Sequence, residues 1–165
     1  MRQQTRQSER LQARLTRTEG ELGRSINDAA LFSDPIRQLI FEVELAWARR
    51  VPAEQKDSLP LTPWTVGQDF FPSWDQVEGV ARSKVVDVIV EVLTGRVYDL
   101  VGLEAHQLRS GAGGDDPPRV REDGATCWRV SLQVKTPSAR RLHYWLLNNG
   151  AIELSSIRLH DDMRP

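Results

Sequence analysis

The apolar residues of this 165-residue chain change period once, near Gly95, and that change limits the folds open to it. Before Gly95 they recur at helical spacing, and after it they alternate. Helices followed by strands describe an α+β protein. The expected order is two to three N-terminal helices, then a three- to four-stranded antiparallel sheet. A helix at about 73–94 covering that sheet buries both.

The clearest early helix is "FSDPIRQLIFEVELAWARR". Ser33 or Asp34 can cap it, and Pro35 sits in the first turn, where a missing N–H costs nothing. Ile36, Leu39, Ile40, Val43 and Trp47 fall on one face by spacing, Arg49 and Arg50 suit the C-terminal end, and Pro52 stops it. Residues 52–72 then carry Pro52, Pro60, Pro63 and Pro72 among Trp64, Phe70 and Phe71. That much proline argues against a regular element, and that many aromatics argue against a free linker. An ordered strap over the core satisfies both.

"SWDQVEGVARSKVVDVIVEVLTG" has Ser73 and Gln76 at capping-box spacing and Gly95 as its stop. Its valines would also suit a strand. At helical spacing, however, Ser83, Lys84, Asp87, Glu91 and Thr94 share one arc and the valines fill the other, so helix is expected. Val97 to Leu108 then reads as a first strand, and 109–125 as a flexible polar loop. "CWRVSLQVK" alternates, with Trp128, Val130, Leu132 and Val134 on one face and Arg129, Ser131, Gln133 and Lys135 on the other. The last pair of strands turns at "NNG". Asn149-Gly150 fits a type I′ turn that would oppose Leu147 to Ile152 and Trp145 to Leu154. A turn at Asn148-Asn149 shifts that register.

Residues 1–32 form a separate N-terminal helical arm ahead of a single domain over 33–165. Within 5–26, Leu11, Leu15, Leu22 and Ile26 make a narrow seam, and Arg2, Arg6, Arg10, Arg14 and Arg17 a second stripe. The stripe is either a solvated face or a contact surface for an acidic partner. Whether the helix is a free arm or part of the core is open. Charge is uneven: residues 1–26 carry six Arg and three Glu, 27–118 eight Lys/Arg and fifteen Asp/Glu, and 119–165 eight Lys/Arg and five Asp/Glu. An acidic middle between basic ends permits self-association or an anionic partner.

No apolar run nears the ~20 residues of a bilayer span, and the N-terminus has no signal-like apolar core, so a cytoplasmic location is expected. Cys127 is the single cysteine, which excludes an internal disulfide. His106, His143, His160 and Cys127 show no zinc-ligand spacing, and the His160-Asp161-Asp162 cluster resembles an ordinary tail. "SGAGGDDPP" lacks the glycine spacing of a phosphate loop. No cofactor or metal is expected, and no catalytic pair stands out.

Arg129, Lys135, Arg140, Arg141, His143, Tyr144 and Arg158 gather on the strands as a basic, aromatic-edged surface. Such a face could hold single-stranded nucleic acid by phosphate contact and stacking, or serve as the solvent face of a sheet.

The order helix, Leu93-Thr94-Gly95-Arg96, strand, Asp123-Gly124 with Trp128-Arg129-Val130, then Tyr144-Trp145-Leu146-Leu147 through Gly150 to Leu154 resembles the C-terminal domain of the gas vesicle protein O family. The resemblance covers roughly 75–160 and implies a non-enzymatic accessory protein working by protein contact in an assembly.

The expectation is therefore a non-enzymatic protein-interaction or assembly accessory protein. Its contacts would run through Arg6, Arg10, Arg14, Arg17, Leu11, Leu15 and Leu22 of the arm, and through the sheet's open face or edge. The alternative is a small nucleic-acid-binding or regulatory module on the basic face. A small enzyme with a site near His106 or His143 is the third reading.

Overall fold

The structure, a computed structural model, describes residues 10–14, 30–111, 113–136 and 138–165. Residues 10–14 are helical, and Arg10, Leu11 and Arg14 are exposed there. Arg6, Arg17, Leu15 and Leu22, with the other arm residues of 1–9 and 15–29, lie outside the described residues. The chain divides into two compact units, Met1–Glu42 and Val43–Pro165, and the division falls inside helix α1 (Pro35–Arg50).

In the first unit Asp34 caps α1, its carboxylate accepting from the Ile36 N–H at 2.9 Å. The buried line differs from the apolar stripe expected. Gln38, Leu39 and Glu42 are buried, whereas Ile36 and Ile40 are 45% and 40% exposed. Hydrogen bonding accounts for the rotation. The Gln38 carbonyl accepts from the N–H groups of Leu31 and Phe32 at 2.9 and 3.1 Å, and its amide donates to Glu42 at 2.7 Å. Satisfying those donors turns the polar residues inward and leaves the isoleucines outside.

In the second unit the proline-rich segment is ordered and pinned. The Trp47 indole donates to the Leu59 carbonyl at 2.8 Å. Lys56 donates to the carbonyls of Ala48 and Val51 at the helix end and sits 4.4 Å over the Trp47 ring. The segment also holds two regular elements that proline density argued against, strand β1 (Trp64–Val66) and helix α2 (Phe70–Asp75). Neither conflicts with proline chemistry. Pro63 stands just outside an edge strand, and Pro72 lies in the first turn of α2, where N–H groups have no helical partner.

The helix expected over 73–94 is two helices, α2 and α3 (Arg82–Leu93). Gly79, at φ +84°, breaks the run between them. Ser73 is accordingly not an N-cap. It is buried inside α2, its hydroxyl donating to the Phe70 carbonyl and accepting from the Ile157 N–H at 2.9 Å, which fastens α2 to the last strand. α3 is buried from Val85 through Leu93 except at Asp87, which reaches Arg50 at 3.1 Å, the pattern of a helix covered on most sides. Glu91 is buried with it and is held by Arg50 at 2.6 Å and Arg96 at 3.3 Å.

The expected strand over 97–108 is mostly two single 3-10 turns, Arg96–Tyr98 and Val101–Leu103, before the two-residue strand β2 (His106–Gln107). Three longer strands follow: β3 (Thr126–Ser131), β4 (Arg140–Leu146) and β5 (Ile152–Leu159). The sheet runs β1-β5-β4-β3-β2. It is mixed, since β1 lies parallel to β5 while the other pairs are antiparallel. The α+β class holds, with a five-stranded mixed sheet in place of a purely antiparallel one.

The terminal hairpin takes the second of the two turns considered. The Leu147 N–H bonds the Ala151 carbonyl, the Gly150 N–H bonds the Leu147 carbonyl, and Gly150 is at φ +83°. This is a three-residue loop ending in a left-handed bulge residue, which suits Gly. Tyr144 therefore opposes Leu154, and Trp145 opposes Glu153. A bulge at His143/Tyr144 resets the register.

Candidate functional site

Register divides the strand residues between two faces. Val130, Leu142, Tyr144, Leu154 and Ile157 are buried on one, and the Tyr144 hydroxyl meets that of Tyr98 at 3.1 Å. Arg129, Arg141, His143, Trp145, Ser156 and Arg158 lie on the other, aligned by the pairs Arg129–His143, Arg141–Arg158 and His143–Ser156. Tyr144 is thus separated from the basic residues expected beside it. Fully buried, it has no ring face to stack on a base. Lys135 and Arg140 do not join them: β3 ends at Ser131 and Lys135 is exposed in the following loop at φ +58°, while Arg140 opens β4 opposite Leu159, alternating with Arg141.

The basic face is not open. Leu108 and Ala125 pack with Cys127 and Trp145 on it, joined by Leu147 and Met163. Arg121 lies 5.0 Å over the Trp145 ring and reaches Glu153 at 2.8 Å. The stretch 109–125 is tied down by main-chain bonds: Arg119 N–H to Leu108, Cys127 N–H to Arg119, and Leu108 N–H to Cys127. The acidic C-terminal cluster is no loose tail either. It folds back across the sheet, where Arg129 donates to the His160 carbonyl at 3.2 Å and His143 Nδ1 donates to the Arg164 carbonyl at 2.8 Å.

These contacts set the electrostatics. Burial pushes His143 down to about 4, against the opposing hydrogen bond to Arg164. With Nδ1 protonated, its Nε2 is a bare acceptor, buried and without a partner. Ser156 Oγ and the Nε atoms of Arg141 and Arg158 are likewise buried and unpartnered. His106 is lowered chiefly by burial, accepting at Nε2 from Arg129 at 2.7 Å and donating from Nδ1 to the Glu104 carbonyl. Glu104 is held below the usual carboxylate range by hydrogen bonds from Ser131 at 3.0 Å and Arg141 at 2.9 Å. Burial drives the Cys127 thiol up to about 12, an inert small hydrophobe. Among the described residues no three His, Cys, Asp or Glu side chains gather where they could hold a metal ion, and no helix is long and apolar enough to cross a membrane.

Two further surfaces stand out. A cleft of about 570 Å³ opens at the end of the basic face, with Arg141, Glu104 and Lys135 among its walls. The other is the stripe that α1 leaves outside. On the helix these are Ile36 and Ile40, four apart and 45% and 40% exposed, and Leu31 and Phe32 stand exposed in the non-helical segment just before it, with Phe32 tilted against Phe41 at 5.9 Å. Sequence reasoning placed the two isoleucines in the core and so missed this surface. The sheet edges offer less than expected: β1 and β2 are three and two residues long, too short to template a partner strand well.

Compared with protein-family models, curated proteins and solved structures, the chain has no match in any of the three.

Proposed function

We propose that this chain acts by binding protein, as a non-enzymatic accessory component of an assembly, through the Leu31, Phe32, Ile36 and Ile40 stripe. The observation carrying this reading is that stripe itself. Four bulky apolar side chains close together in sequence, two on the first turns of α1 and two just before it, left partly in water, mark a contact surface more than a scatter of single residues does. Full burial of such side chains stabilises by ~1.5–3 kcal/mol each, so covering the two-fifths still exposed on three of them offers a partner roughly 2–4 kcal/mol. The resemblance to the gas vesicle protein O family points the same way. The nucleic-acid alternative has less support, because Tyr144 is sealed in the opposite face and the C-terminal residues cover the arginines.

A photo-crosslinking residue at position 36, introduced in cells, tests the reading. Capture of a protein, a second copy included, that is lost in Ile40→Asp supports it. Absence of any crosslinked protein, together with a concentration-independent mass in sedimentation, overturns it. So does salt-sensitive, submicromolar binding of single-stranded oligonucleotide.

A further inference from the structure

The cleft beside Arg141 combines features that the fold does not require. Among the described residues, the non-glycine positions with positive φ are Glu104 at +47°, Lys135 at +58° and Ser138 at +54°, and all of them line this cleft. Such backbone is costly for residues with a Cβ, and it concentrates where a surface is shaped for contact. Arg141 forms part of the wall, with only 7% of its surface exposed and its Nε without a partner. Directly across the ladder stands Arg158, whose Nε is also buried and unpartnered. Like charges opposed on neighbouring strands repel, and among the described residues Glu104 is the one carboxylate bonded to Arg141. Val101, 91% exposed, and Val134 and Ala139 supply an apolar wall. The volume of about 570 Å³ lies within the roughly 300–1,000 Å³ usual for small-molecule sites.

We infer that this cleft binds a small amphipathic organic anion, its oxyanion head drawn to Arg141 and Lys135 and its apolar body laid on Val101, Val134 and Ala139. Glu104 competes with the incoming anion for Arg141, so it sets the affinity. The site is separate from the apolar stripe of α1, and either can fail alone.

The test uses the full chain, with hexanoate, hexyl phosphate and inorganic phosphate as probes, followed by amide chemical shifts. Saturable millimolar binding of hexanoate or hexyl phosphate, with shifts centred on Val134, Lys135 and Ala139, is expected. Lys135→Glu, a change at an exposed loop position, should weaken it several-fold. Glu104→Gln keeps an acceptor for Ser131 and Arg141 but removes the competing charge, and should tighten binding several-fold. A purely structural Glu104 would leave affinity unchanged or lower it. Unsaturable shifts with both organic probes, or Glu104→Gln binding no tighter than the native chain, overturns the inference. Inorganic phosphate binding as tightly as the organic anions overturns it as well.

Discussion

Removing the residues after Leu159 should change how stability depends on pH, and His143 makes the change calculable. In the intact chain His143 is fully buried, its Nδ1–H donating to the Arg164 carbonyl, with Arg129, Arg158 and Asp162 the charged groups acting on it. Burial sets its folded value at about 4, against an ordinary 6.5. Because the folded value is depressed, the unfolded chain takes up the proton first as pH falls. Stability attributable to this group is therefore complete above pH 6.5 and declines as pH drops towards 4. At about 1.4 kcal/mol per pH unit, the decline approaches ~3 kcal/mol. A chain ending at Leu159 loses both the cover and the acceptor, so His143 should titrate near its ordinary value and the slope should flatten. Asp162, held down to about 2 by Arg164, acts only below about pH 4, outside this window. Urea unfolding from pH 7 to 4.5, with His143→Gln as the reference that removes the group alone, reads the slope. Histidine NMR resonances read the titration. An intact chain in which His143 titrates near 6.5, or a slope unaltered by truncation, would refute the reasoning.

Ser73→Ala should destabilise by about 1–3 kcal/mol in denaturant unfolding, because the Ile157 N–H it satisfies is then left buried and unpaired. Gly150→Ala forces a side chain into the left-handed region at φ +83° and should cost about 1–2 kcal/mol by the same measurement. Cys127, buried and with its thiol pushed up to about 12, should resist a thiol reagent at pH 8 in the native state and react on unfolding. Fast native reaction would mean that the cover from Leu108 and Ala125 opens.

The period change near Gly95 was enough to read the α+β class, the run of strands that follows the last helix, and the inward face of Val130. What escaped were decisions made by partners far off in the chain. β1 is three residues between prolines, too short to show alternation, and it exists because β5 lies beside it. The break at Gly79 sits within a stretch whose capping signal at Ser73 looked complete. It became visible only with Ser73 spent on Ile157. Asn148-Asn149 and Asn149-Gly150 are both competent turns, so one residue of register separated Trp145 from the partner expected for it. Of the candidate residues, Arg129, Arg141, His143 and Arg158 do share a face. Their cover could not be read from local pattern, since "HDDMRP" carries no periodicity.

The parallel pairing of β1 with β5 also orders events in time. Trp64 meets Ile152 across 88 positions, whereas β4 and β5 meet across a three-residue loop. Closing the long span costs about 4 kcal/mol of chain entropy before any contact repays it, so the hairpin should assemble before β1 docks. Slow refolding should accordingly track formation of the Trp64 environment, and an intermediate lacking it would still hold β4 against β5.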